Sequence, residues 1–188
     1  MEKINELCSL VQGCRRCNLC DKRTKVVFGE GNPGARLMFI GEGPGHDEDV
    51  SGRPFVGKAG QLLTKMIEAI DLKRDDVYIC NIVKCRPPQN RVPIEEEAEA
   101  CLPFLRQQVA IIRPKIIVCL GATSAKYIIS KDIRITRDRG KWYEKGEFKI
   151  IATYHPSALL RDPDKKKAAW EDFKDIKRIN EELDNVKL

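Results

Sequence analysis

Eight cysteines are the first residues in this chain whose spacing can do chemistry. Two residues separate Cys14 from Cys17 and fifteen separate Cys85 from Cys101, so two pairs of thiols supply enough ligands for a tetrahedral zinc or an iron–sulfur cluster. Cys20 extends the first pair to Cys14-x-x-Cys17-x-x-Cys20, the opening of a bacterial ferredoxin run. The x3-Cys-Pro ending of that run is absent. The plainer alternative makes Cys85 and Cys101 ordinary buried thiols. Cys8, Cys80 and Cys119 read as structural, the last two lying inside apolar runs.

The other reactive residues are few. His46 and His155 are the only histidines, and neither G-x-S-x-G nor H-E-x-x-H occurs, which leaves nucleophile-elbow hydrolases and the common zinc proteases without support. Gly41-Glu42-Gly43-Pro44-Gly45 is not a dinucleotide fingerprint: position 46 is His, and Pro44 lacks an N–H to offer a phosphate. That stretch instead brings the carboxylates Glu42, Asp47, Glu48 and Asp49 together, of which Asp47 and Asp49 read as solvated, with His46 exposed beside them. His155 opens a Pro-bounded loop, His155-Pro156-Ser157-Ala158-Leu159-Leu160-Arg161, a better place for chemistry than most lone histidines occupy.

Four short apolar runs would position these groups: Leu37 to Ile40, Val77 to Cys80, Ile116 to Leu120 and Ile150 to Thr153. They have the continuous apolar character of strands buried on both faces. Helical spacing over Ala59 to Ile70, Ile94 to Ile112, Thr123 to Ser130 and Lys165 to Leu183 alternates with them, so the chain reads as α/β with helices over both sheet faces. Three Gly-, Pro- and polar-rich connections, Gly41 to Lys58, Lys84 to Pro93 and the stretch after Thr153, follow strands one, two and four. Ligands bind outside the carboxyl ends of strands in open α/β sheets, so the three are predicted to converge.

With 188 residues, 42% of them hydrophobic, the chain is long enough for one compact domain over 1–188. It contains no apolar run near the roughly 18 residues that cross a bilayer. The start, Met1-Glu2-Lys3-Ile4-Asn5-Glu6, is acidic where an export signal is basic, and the expected location is cytoplasmic. Basic and acidic residues balance over 1–112, so the whole +6 excess lies in 113–188 and would face a polyanion. Arg161 with Lys165, Lys166 and Lys167 reads equally as a phosphate track and as a solvated helix face.

Taken in order, the 41–45 stretch with Glu48-Asp49, then Gly52-Arg53-Pro54-Phe55-Val56-Gly57, Asn81, Cys85-Arg86-Pro87-Pro88 with Asn90-Arg91, and the 155–161 loop resemble the family 4 uracil-DNA glycosylases over nearly the whole chain. The resemblance implies a three-layer α/β/α sandwich around a four-stranded parallel sheet, and a structural [4Fe–4S] cluster on Cys14, Cys17, Cys85 and Cys101, with Cys20 a departure. It implies a monomer acting on uracil in single- or double-stranded DNA, with any sliding-clamp partner left open.

The roles follow from what uracil removal demands. Asn81 would donate to O4 and accept from N3–H, Phe55 would stack on the flipped base, and Glu48 would fill the space of the thymine methyl, with Gly43 also at the base. His155 would donate to O2 as the uracil anion leaves, and Glu42 would serve the water and the sugar's developing charge. Ser157, Leu159, Leu160 and Arg161 would hold the DNA, the leucines as a wedge in the gap, although core packing is their ordinary use. The rival readings are a nucleic-acid-binding or electron-transfer iron–sulfur protein, or a zinc module on the same thiols. The first does not require Glu42, Asn81 and His155 at three different strand ends, and the second is told apart by its colour, since zinc gives no visible absorption band where an iron–sulfur protein is brown.

Overall fold

The computed structural model describes residues 2–185; Met1 and the end of the expected 1–188 domain lie outside the described residues. Six strands form one sheet: β1 (Glu30–Gly31), β2 (Leu37–Gly41), β3 (Tyr78–Asn81), β4 (Ile116–Leu120), β5 (Trp142–Lys145) and β6 (Phe148–Thr153), in the order β1-β3-β2-β4-β6-β5. The four expected runs are its interior, paired in parallel throughout. The expectation of a four-stranded sheet is corrected by two short antiparallel strands at the margins. These lack the signal that gave the others away: β1 is two residues long, and β5 is only partly buried.

Interior strands must be apolar on both faces, and their alternate residues enter two separate cores. Met38, Ile40, Cys80, Ile117, Cys119 and Ala152 face one side, where α1 (Glu2–Gln12), α4 (Glu95–Ile112) and α5 (Ala122–Ile128) cover them. Leu37, Phe39, Ile79, Val118, Leu120 and Ile151 face the other, against α3 (Lys58–Glu68) and α8 (Lys165–Asn185). Phe39 and Phe173 stack across that second interface with centroids 5.9 Å apart. This is the expected sandwich of helices on both sides of a mostly parallel sheet.

From β2 the chain crosses to β3 on one side, then returns past β2 to β4 on the other, so the loops leaving β2 and β4 diverge and open a crevice at the carboxyl ends. Two of the expected loops contain short helices: α2 (His46–Ser51) in the first and α7 (Pro156–Arg161) in the last. A further short helix, α6 (Ile135–Asp138), precedes β5. Pro156 at the first helical position of α7, with His155 as its cap, explains why a Pro-bounded segment winds rather than loops.

Asp49 is corrected as well. It is buried, not solvated, and its carboxylate accepts from the amides of Thr24, at 2.9 and 3.1 Å, and Lys25, pinning the N-terminal segment to α2.

Between α2 and α3 the backbone passes through Phe55 at φ 51°, a left-handed conformation that a large side chain adopts only when its surroundings enforce it. Glu30 bridges Arg53 and Arg74, and Arg74 donates to the Pro54 carbonyl. From below, Gly60 presses its bare α-carbon on the same segment, where a Cβ would lie 1.8 Å from the Phe55 carbonyl oxygen. Gly60→Ala is therefore expected to destabilise the protein by about 1–3 kcal/mol in urea unfolding, as overpacking does, and to displace Phe55.

Candidate active site

At the carboxyl ends of the interior strands, register sets Gly41 beside Asn81, Ile40 beside Cys119, and Leu120 beside Thr153. Just beyond this row lies a cavity of about 550 Å³, within the usual range for a small-molecule pocket. Glu42, Gly43, Glu48, Phe55, Asn81, His155, Ser157 and Arg161 all line it. The three segments predicted to converge do so.

The floor is tightly built. Asn81 is buried, and its Oδ1 has no hydrogen-bond partner among the described residues, a costly state for an amide unless something entering the cavity completes it. A Cβ on Gly41 would lie 2.5 Å from Asn81 Oδ1 and 2.5 Å from Phe55 Cζ, so the amide and the ring sit over the glycine with no room for a side chain. Gly43 is similarly constrained, 2.7 Å being the approach of a Cβ there to Val83 Cγ2. The Phe55 ring, buried and part of the second core, lies 5.5 Å from the His155 ring at a 32° tilt.

His155 caps α7: its Nδ1 accepts from the Ser157 amide at 3.1 Å. An accepting Nδ1 assigns the proton to Nε2. Burial pushes the imidazole pKa down to about 4, and the Arg161 charge adds to the effect, so at neutral pH the ring is an uncharged donor. Glu42 leaves β2 with its backbone carbonyl held by the Val83 amide at 3.1 Å, and its Oε2 accepts from the Thr123 hydroxyl at the start of α5.

Glu48 lines the same cavity, but its carboxylate is occupied by the backbone. Oε1 accepts from the amides of Val56 and Gly57, each at 2.9 Å, and Oε2 from Gly45 at 3.1 Å. It therefore braces the Phe55 segment against the Gly-Pro turn. The paired wedge expected of the leucines is corrected: Leu159 is 1% exposed, buried as α7 packs on α3 and α8, and only Leu160, 46% exposed, faces outward. Ser157 engages through its amide, and Arg161 is exposed at the rim. Lys165 pairs with Asp162 at 3.0 Å, while Lys166 and Lys167 are exposed.

Sequence reasoning missed Thr123, Gly121 and Tyr154, which also line the cavity. Gly121-Ala122-Thr123 directly follows a recognised strand, so a glycine and then a hydroxyl at a strand's carboxyl end was the available signal.

On the opposite core face, Cys14, Cys17, Cys20, Cys85 and Cys101 surround a small cleft together with Arg23 and Lys84. Arg23 donates to the Cys14 carbonyl at 2.9 Å and to Cys85 Sγ at 3.2 Å, and the Lys84 amide donates to Cys101 Sγ at 3.3 Å. Burial raises the thiol pKa values of Cys17, Cys85, the latter to about 11, and Cys101. Such thiols ionise when a metal compensates them, and N–H groups already aimed at sulfur suit the thiolate form. Cys20 instead donates to Asp21 at 3.3 Å. Among the described residues no three His, Cys, Asp or Glu side chains are drawn together closely enough to hold a single metal ion. The donor set and its hydrogen bonds fit a thiolate-bound centre.

No helix among the described residues is long and apolar enough to cross a membrane. Residues 28–174 match the family described as the uracil DNA glycosylase superfamily. Among similar proteins, a type-4 uracil-DNA glycosylase of Sulfurisphaera tokodaii is 50% identical over 188 residues, 95% of this chain and 86% of that protein. One from Archaeoglobus fulgidus is 45% identical over 184 residues, covering 94% and 92%, and one from Thermotoga maritima is 50% identical over 166 residues, covering 86% and 85%. A type-5 uracil-DNA glycosylase of Pyrobaculum aerophilum is more distant, 33% identical over 147 residues, 69% of this chain and 64% of that protein. The match along most of the chain, with a pocket at the sheet's switch point, makes this chain a member of the uracil DNA glycosylase superfamily, grouped with its type-4 enzymes.

Proposed function

We propose that the protein is a monofunctional uracil-DNA glycosylase: it flips uracil out of DNA, hydrolyses the N-glycosidic bond and leaves an abasic site for base excision repair. The observation that carries this reading is the buried, unpartnered Asn81 Oδ1, in the same cavity as Phe55, Glu42 and His155. A flipped uracil stacked on Phe55 completes that amide, its N3–H donating to Oδ1 and its O4 accepting from Nδ2. Cytosine presents the reverse pattern and leaves the amide unsatisfied. Gly43 lets the base approach the backbone, and Glu48 shapes the pocket by fixing the turn and the Phe55 segment.

As the C1′–N1 bond breaks, electrons pass to the uracil and positive charge builds on the sugar. The Nε2–H of neutral His155 is directed at O2 and stabilises the departing anion. Glu42, with one oxygen held by Thr123, presents the other to the attacking water, whose oxygen bonds to C1′. Outside the pocket, Leu160 fills the gap in the stack while Ser157 and Arg161 hold the flanking phosphates. Leu159 supports them from the core.

Cys14, Cys17, Cys85 and Cys101 would hold a [4Fe–4S] cluster, which when bound ties the N-terminal segment to the loop after β3 and to α4. Bond hydrolysis transfers no net electron, so the cluster's contribution is structural. The protein acts as a cytoplasmic monomer of one domain on single- or double-stranded DNA.

Oligonucleotides carrying one uracil, treated with alkali after incubation, test the reading: breakage at uracil and none at thymine or cytosine is expected. No breakage by folded protein would leave a DNA-binding module instead. Glu42→Gln and His155→Ala are each expected to lower single-turnover rates at least tenfold, about 1.4 kcal/mol of barrier, with DNA affinity nearly kept. For Thr123→Val the expectation is a fall in kcat with little change in KM, restored by Thr123→Ser.

His155 also sets a stability slope. Its folded pKa lies near 4 and an unfolded histidine titrates near 6.5, so between these values the unfolded chain binds the extra proton. Stability falls as pH drops through that window, by about 1.4 kcal/mol per pH unit at most. His155→Asn should flatten the slope in urea titrations across it.

A further inference from the structure

Lys84 is 1% exposed, among the largest fully buried side chains of the molecule. Its Nζ donates to the Asn81 carbonyl at 2.8 Å, and among the described residues no carboxylate pairs with it. The buried acids are committed elsewhere: Asp49 to the Thr24 amide, Glu97 to Arg91, Asp138 to Arg137 and Lys141, and Asp172 to Arg139. A buried ammonium without a counter-charge is strongly disfavoured. Lys84 lies instead among sulfurs: Cys101 Sγ accepts from the Lys84 amide at 3.3 Å, and Lys84 lines the thiol cleft together with Cys85 and Cys101.

We propose that Lys84 is a positioning residue that joins the two sites. Its ammonium is the counter-charge of a negatively charged iron–sulfur cluster on the neighbouring thiolates, and its hydrogen bond to the Asn81 carbonyl holds the end of β3 where Asn81 reads the base. The cluster then acts on uracil recognition electrostatically, through a cation it keeps in place, with no change of oxidation state. This rests on the cluster reading given above.

Three measurements on the cluster-loaded protein and its variants Lys84→Met and Lys84→Gln test it. Removing a positive charge beside a cluster disfavours adding an electron, so protein-film voltammetry should give a more negative reduction potential for both variants, and chelator should bleach the visible band faster. Inhibition by free uracil should weaken about tenfold in Lys84→Met, which loses the bond to Asn81, and less in Lys84→Gln, which can still donate. Unchanged potentials and bleaching in both variants overturn the counter-charge role, and unchanged uracil inhibition in Lys84→Met overturns the link to Asn81. If neither variant folds, ¹⁵N-lysine-labelled wild type decides: a slowly exchanging Nζ signal that shifts when the cluster is reduced supports the role, and one at the position of solvated lysines overturns it. A colourless, metal-free wild type would remove the cluster reading itself, and the proposal with it; a brown wild type whose variants match it removes the proposal alone.

Discussion

The pocket depends on the absence of one β-carbon. Gly41 and Asn81 end adjoining parallel strands in register, and the space above Gly41 is filled by the Asn81 amide and the Phe55 ring. Strand pairing fixes the position of Asn81 to within the tolerance of a hydrogen-bond ladder, and no side chain at 41 fits without moving both neighbours. The left-handed Phe55 backbone, Gly60 beneath it, the Glu48 carboxylate and the Glu30–Arg74 bridge all serve the same placement from different directions. The Asn81 amide and the Phe55 ring are therefore both held by backbone close to the sheet.

Two buried polar systems flank that floor. On one side Lys84 and Arg23 connect the thiol cleft to the end of β3 and to the N-terminal segment, which Asp49 also holds. On the other, the Asp172 carboxylate accepts from Arg139 and from the Thr153 hydroxyl at 2.6 Å, two residues before His155. Each system fixes a strand end from behind, and each is assembled from residues far apart in the chain.

Much of this was legible in the sequence because interior parallel strands are apolar on both faces. The four runs come from that demand, helices α3, α4, α5 and α8 from the spacing of their own apolar faces, and the convergence of three loops from the alternation of the two; α1, equally long as α3, is not among the expected helices. Chemistry-bearing residues at strand ends could be picked out for the same reason. The remainder depends on tertiary contacts with no local signature. Asp49 looked like a solvated acid until Thr24, 25 residues away, was brought to it. Leu159 and Leu160 are identical neighbours in sequence, and only the direction in which α7 packs sends one inward and the other out. Thr123 acquires meaning through a carboxylate 81 residues earlier in the chain.

The two antiparallel margins have a further consequence. A parallel interior strand, long and apolar, would be an open template for another chain's backbone if it lay at an edge. Here the outermost strands are a two-residue Glu-Gly segment on one side and a half-exposed strand bearing Glu144 and Lys145 on the other. Short and charged edges are poor templates for sheet extension. The interior strands that shape the pocket are thus shielded from intermolecular pairing by the marginal ones, and a sheet rich in β-branched residues is kept from growing past its own boundary.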